Sequence, residues 1–385
     1  MKRLILVLVG VMPLLFPAAH AFGFQDALMA AQSRPDAVTK RLELLNDNNE
    51  LVRVQGDPLA LKMDRVKAQQ KVALDRAQLE KAYDDALVQI AQAYTGVLEA
   101  REQVAVAHKG VEVGQASLDI AKIRKANGSG TALDVQNAQV SLDNANKNAQ
   151  TASKSLAVAL ANLEGMVGTT LKASDLEPIP DAFLVPVPGA DQAIAALPST
   201  PQLVQSEQGL ALARLGVDLL DPSYASTSQI ESAKTQLETS QKLVAEAKRG
   251  LEIQARNLVV QAQSAADTNR IQKDSLANAN QSLAFASDRL KSGLIPKIQY
   301  QKAQLDQMQA ALATMQARDG YVVALLQLQS GTQVQLPGPS VYDFTATVGP
   351  LPGGAGNGSG GSSGAPSQDG SAAGTNAGSG SGNGQ

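Results

Sequence analysis

From about Ala68 to Ala126 apolar residues recur at heptad spacing. Tyr83, Ile90, Val97, Val104, Val111 and Leu118 occupy one position, and Ala86, Ala93, Ala100, Ala107, Gly114 and Ala121 the other. Alternating large and small layers predict a coiled-coil helix with close neighbours, since Ala or Gly removes the side chain that would hold two backbones apart. Its length would be roughly 90 Å. On this reading leucine at Ala100 or Ala107 overpacks the seam. The helix breaks at Asn127-Gly128-Ser129-Gly130, with Thr131 the expected N-cap of the next. That returning helix carries Val135, Ala138, Leu142, Ala145, Ala149, Ala152, Leu156, Ala159 and Leu163 at three-four spacing and ends near Gly165 and Gly168. It would span about 50 Å, and a short helix over Asp36–Asn49 stacked end to end on it would make up the difference.

The same plan occurs twice. Sliding the chain by 165 residues lays Arg124, Gly128, Ala138-Gln139 and Leu163 on Arg289, Gly293, Ala303-Gln304 and Leu328, while Gly168 meets only small and polar residues. Slips of one residue align Ser33-x-Pro35 with Ser199-x-Pro201 and Asp57-Pro58 with Asp221-Pro222. A unit this long, present twice, predicts two large helical blocks side by side rather than a solenoid. In the second block the long helix is expected over Gln229–Lys291, the turn at Ser292–Pro296, and a return through Tyr300, Ala303, Gln307, Ala310, Thr314, Ala317, Tyr321, Ala324 and Leu328. The expected organisation is a signal segment over 1–21, a first helical repeat over 22–174, a Pro-rich connector over 175–190, a second repeat over 191–336 and a Gly/Ser-rich disordered tail over 337–385.

Composition narrows the class. Only 3% of residues are aromatic, with no Trp, so apolar surface must be buried in narrow helical seams. A net charge of −3 with interspersed signs disfavours nucleic acid, which requires clustered Lys and Arg. Lys2-Arg3, the apolar run Leu4–Phe16 and Ala19-His20-Ala21 form an export signal. No later stretch is long and apolar enough for a membrane helix. The absence of Cys removes disulfides, thiolate sites and a lipidated cysteine anchor.

The duplicated Arg-x3-Gly, Ala-Gln and Leu-x4-Gly set, carried by Arg124, Gly128, Ala138, Gln139, Leu163 and Gly168 and then by Arg289, Gly293, Ala303, Gln304 and Leu328, resembles the TolC-like outer-membrane efflux family. Ser33-Arg34-Pro35 and Ser199-Thr200-Pro201 are similar to the family's Asn-Pro opening with Asn replaced. The resemblance implies an all-α set of long antiparallel hairpins forming an α-barrel, a homotrimer, and a passive tunnel for transport across the periplasm and outer membrane. It also implies an exported, outer-membrane-associated or periplasmic location and a periplasmic adaptor and inner-membrane pump as partners. The family's membrane strands have room only within Asn46–Val66 and Gly216–Ile230, which lack the alternation and aromatic girdle of a barrel. The β-barrel is therefore expected to be missing or vestigial, with a possible separate outer-membrane component as a further partner. The alternative is a periplasmic structural or interaction scaffold of the same family without channel activity.

By the same resemblance the partner-docking hairpin tips are Arg124, Gly128, Asp134, Arg289, Gly293, Gln299 and Lys302. The family's acidic ring at the tunnel mouth is not reproduced: Asp134 and Asn137 stand in the first block, Gln299 and Lys302 in the second. Catalytic, metal and cofactor sites are not expected. His108 is the sole histidine of the mature chain and falls at a seam edge, and Asp84-Asp85 reads as solvated helix charge. Gly128-Ser129-Gly130 lacks the lysine of a phosphate loop and reads as turn chemistry.

Overall fold

A computed structural model describes residues 22–337, so the expected signal segment and nearly all of the expected tail lie outside the described residues. The described chain is all-α. Helices α1 (Phe24–Met29) and α2 (Pro35–Gly56) lead into α3 (Lys62–Ala126), which turns into α4 (Ala132–Val167). After an extended connector come α5 (Ala190–Ala196), α6 (Pro201–Asp218), α7 (Thr227–Lys291) and α8 (Lys297–Thr332). Both long helices have 65 residues and both returning helices 36. The only β-pairing among the described residues is an isolated parallel bridge between Phe22 and Leu176.

Helix ends follow local chemistry. Thr131 caps α4: its hydroxyl accepts from the Asp134 N–H at 3.1 Å while Asp134 Oδ2 accepts from the Thr131 N–H at 2.7 Å. Gly168 ends α4 in the left-handed conformation, φ 78°. Its counterpart at the end of α8 is Gln333, which adopts the same conformation, φ 59°, and donates its side-chain amide to Asp84 Oδ2 at 3.0 Å. A side-chain hydrogen bond thus accompanies a conformation glycine adopts without steric cost.

The segments weighed above for membrane strands are helix and turn instead. Helix α2 runs seven residues beyond the expected Asn49, through the short alternation Leu51–Gln55, to Gly56. Each long helix is then preceded by an Asp-Pro turn. Asp57 Oδ1 accepts from the Leu59 N–H at 2.9 Å and Asp221 Oδ1 from the Ser223 N–H at 2.8 Å.

The four long helices form a layer in the order α4, α3, α8, α7, with α2 on α3 and α6 against both α3 and α7. No comparable contact joins α4 to α7 among the described residues, so the layer has two free edges. Because α3 lies between α4 and α8, it is buried on more than one face. Val106 and Val113, outside the expected heptad seam, are buried, whereas Val104 and Val111 are only half-buried. Gly114 is the close approach the small positions foretell, since a Cβ there would lie 3.4 Å from the Leu142 backbone. Ala100 and Ala107 differ. They line an open cleft of about 400 Å³ bordered by α4 and by Leu305 and Gln309 of α8, so a leucine there has room and the expected overpacking does not arise.

The main core lies where α1 and the connector cover α3 and α8. Phe24 packs edge-on against Tyr94 and Phe183, ring centroids 5.3 and 4.9 Å away. Tyr94 Oη lies 2.9 Å from the Phe22 carbonyl and 2.7 Å from that of Glu177. Arg101 donates to the carbonyls of Ala173 and Leu176, both at 3.0 Å, and Arg318 to the Ile179 carbonyl and to Asp181. A second cluster joins α5, α6, α7 and α8 around Leu203, Ala255, Val259 and Leu328.

Candidate partner-docking hairpin tips

The two tips are built alike. At the first, Gly128 has φ 72°, its N–H reaches the Lys125 carbonyl at 3.1 Å, and the Ser129 N–H reaches the Arg124 carbonyl at 2.9 Å. At the second, Gly293 has φ 70°, with Gly293 N–H to Leu290 at 3.0 Å and Leu294 N–H to Arg289 at 2.8 Å. Both are Schellman caps, in which one glycine without a Cβ reverses the chain and occupies the carbonyls that a helix end leaves unpaired. Arg124 and Arg289 therefore hold identical positions: the main chain closes the cap and the guanidinium sits in the last helical turn, where the helix dipole favours positive charge. Gly130 adds a packing constraint, because a Cβ there would come within 3.0 Å of Arg124 Cβ and 3.1 Å of the Lys125 nitrogen.

Asp134 is exposed in the first turn of α4. The Thr131 backbone N–H, the Thr131 hydroxyl and the nearby charge of Arg124 hold its carboxyl below the usual range. Gln299 and Lys302 are exposed near the start of α8, where the Gln299 N–H bonds the Pro296 carbonyl at 3.0 Å. All seven tip residues are solvent-facing, beside exposed Ile123, Leu133 and Leu294. Asp134 is brought next to Thr131 and Arg124. Among the described residues no hydrogen bond or ion pair joins the first tip to the second.

Other polar groups were not evident in the sequence. Asp84-Asp85, read as solvated charge, is instead part of the contact between α3 and α8. Asp84 is 5% exposed and accepts from Gln329 at 2.7 Å, while Asp85 takes the Ser330 hydroxyl. Asp319 on α8 is 1% exposed with Oδ2 unpaired; burial, then the nearby Glu99, push its carboxyl up to about 7 against the opposing charge of Arg318. Asp75 is likewise raised to about 7, by burial and by Asp47 across the α2–α3 contact. Neither position could be singled out from periodicity, because a lone acid within a helical run usually faces water. His108 is exposed, and among the described residues no cluster of three His, Cys, Asp or Glu could hold a metal.

Comparison with known proteins agrees with this architecture. Residues 60–169 match the family model described as outer membrane efflux protein. A membrane protein from Pseudomonas aeruginosa superposes with a TM-score of 0.58 at 12% identity, over 83% of this chain and 92% of that one. The transmembrane channel CusC gives 0.57 at 14% identity, over 81% and 95%. The outer membrane protein VceC from Vibrio cholerae gives 0.55 at 14% identity, over 80% and 96%. The fold is that of the helical part of TolC-like outer-membrane efflux channels. Comparison with curated protein sequences finds no match. No described helix is long and apolar enough to cross a membrane.

Proposed function

We propose that this chain is the tunnel-forming part of an envelope efflux or secretion conduit, working as an exported homotrimer whose hairpin tips dock a periplasmic adaptor and, through it, an inner-membrane pump. The observation that carries this reading is the open layer. Four long helices lie side by side with α4 and α7 as free edges, and both edges expose large apolar residues: Leu133, Val140 and Val158 on one, Ile253, Val260, Ile271 and Phe285 on the other. Two different edges that each need covering suit a head-to-tail contact, which repeats until a ring closes. The match to the efflux-protein model and the likeness to solved channels support the same role. Catalysis has no part in it; the tunnel is a passive path, and the pump supplies the energy.

A specific observation keeps the scaffold reading beside it. Where membrane strands would be inserted, the described chain has only the short turns at 57–61 and 219–226. A conduit would then rely on a separate outer-membrane component, whereas a scaffold would not. Adaptor pull-down with R124A/R289A tests the docking role. A helix-end charge stabilises the fold by only about 0.3–1 kcal/mol, so the variant should melt close to the parent yet lose adaptor association. Unchanged association in a folded variant would refute docking through these residues.

A further inference from the structure

The residue that follows the expected export signal is not a loose end. Phe22 is half-buried, packs on the main core and pairs with Leu176 of the connector in the parallel bridge. Its N–H donates to the Asp175 carbonyl at 2.8 Å, and its own carbonyl accepts from the Glu177 N–H at 3.2 Å. The buried Tyr94 hydroxyl lies within reach of both the Phe22 and the Glu177 carbonyls, so one side chain of α3 holds this residue and the connector together. One position later the Gly23 N–H donates to Asp26 Oδ2 at 3.0 Å, and the next side chain, Phe24, is in the core. The start of the expected mature chain is thus fixed on the connector that joins the two helical repeats.

The same place gathers negative charge. Asp26 comes from α1, and Asp175 and Glu177 flank Leu176 on the connector. A Cβ built on Gly23 would lie 3.3 Å from Asp26 Oδ2 and 3.8 Å from Glu177 Oε2, so two carboxylates converge beside Phe22. Among the described residues none of these three acids forms an ion pair. Arg101 of α3 spends its guanidinium on the Ala173 and Leu176 carbonyls and on Glu102. A cation is made at this point by cleavage of the Ala21–Phe22 bond. The water oxygen stays on Ala21 as part of a carboxylate and both water hydrogens end on the Phe22 nitrogen, which changes from an amide with one donor into an ammonium with three.

We propose that the fold contains a receiving site for its own processed N-terminus: the Phe22 ammonium keeps its bond to the Asp175 carbonyl and pairs with the Asp26 and Glu177 carboxylates. Removal of the signal then tightens the attachment of α1 and the connector to α3, and the unprocessed chain lacks the charge that does so. This rests on the exported reading above and holds for conduit and scaffold alike. The charged and titratable groups facing the ammonium are Asp26 of α1, Asp175 and Glu177 of the connector, and Tyr94 and Arg101 of α3. The carboxylates outnumber the one opposing guanidinium, so the amine should hold its proton above the ordinary range of about 7.7–8.0.

Intact-mass analysis of the exported full chain comes first and should show a protein beginning at Phe22. An uncleaved chain would overturn the exported reading and this proposal together, and cleavage at another bond would overturn this proposal alone. Residues 22–385 and 21–385, each released by a protease that leaves no extra residue, are then compared by the pH dependence of N-terminal acylation. At neutral pH the Phe22 amine should react about threefold more slowly than the amine displaced by one residue in 21–385, and Glu177→Gln should remove much of that difference. The shorter chain should melt higher at pH 6.5, with the gap closing by pH 10, because a raised amine stabilises below its ordinary range and ceases to do so as pH passes its folded value. A Phe22 amine that titrates in the ordinary range, reacts like that of 21–385 and ignores Glu177→Gln would overturn the proposal while leaving export intact.

Discussion

Two glycines decide where the long helices turn back. At φ 72° and 70°, Gly128 and Gly293 occupy a conformation that costs an L-residue roughly 1–2 kcal/mol, and a β-branched side chain is the hardest to place there. G128V/G293V should therefore lower the melting temperature and raise proteolytic cutting at residues 126–131 and 291–296, while circular dichroism retains nearly all the helix. Wild-type melting would show that the turns do not depend on these conformations. The buried acids make a second residue-level prediction. Asp319 and Asp75 titrate near 7 in the folded chain and near 3.8 when unfolded, so the folded state holds their protons more tightly between those values. Their stabilisation is complete below about pH 4 and is lost as pH rises through about 7. Asp134, Glu50, Glu112 and Glu238 are lowered and work oppositely, losing their contribution only as pH falls below the ordinary carboxylate range. Thermal melts should accordingly show greater stability at pH 5 than at pH 8. D319N should raise the melting temperature more at pH 8 than at pH 5, where only part of the loss has developed; equal effects at both would contradict the assignment.

At the scale of elements, the heptad reading and the structure agree where α3 meets α4 and part where α3 meets open space. Gly114 lies against the Leu142 backbone, so G114L should cost about 1–3 kcal/mol. A107L projects into the cleft and should change stability by less than about 0.5 kcal/mol. Chemical denaturation of the two variants checks this, and equal losses would mean that the cleft is tighter than its geometry. Helix positions were legible because they are written in period and punctuation: Thr131, Gly168 and the Asn-Gly-Ser-Gly turn mark the boundaries of α3 and α4 closely. The second contact of α3 was not. A heptad describes one seam, and a helix with neighbours on two sides buries residues such as Val106 and Asp84 that belong to another register. The connector's attachment was equally hidden, since Tyr94, Arg101 and Arg318 bind main-chain carbonyls, which every sequence possesses. The tips could be located from Gly128 and Gly293, but their shared Schellman geometry required coordinates.

For the whole molecule, the decisive feature is a layer of long helices with two uncovered edges and no described strand. Such a layer leaves apolar stripes in water unless copies close around an axis. Sedimentation combined with single-particle imaging of purified residues 22–385 tests this most directly. The account predicts a trimer with a water-filled bore running along the long helices. A monomer at micromolar concentration, or an oligomer with a filled centre, would contradict it.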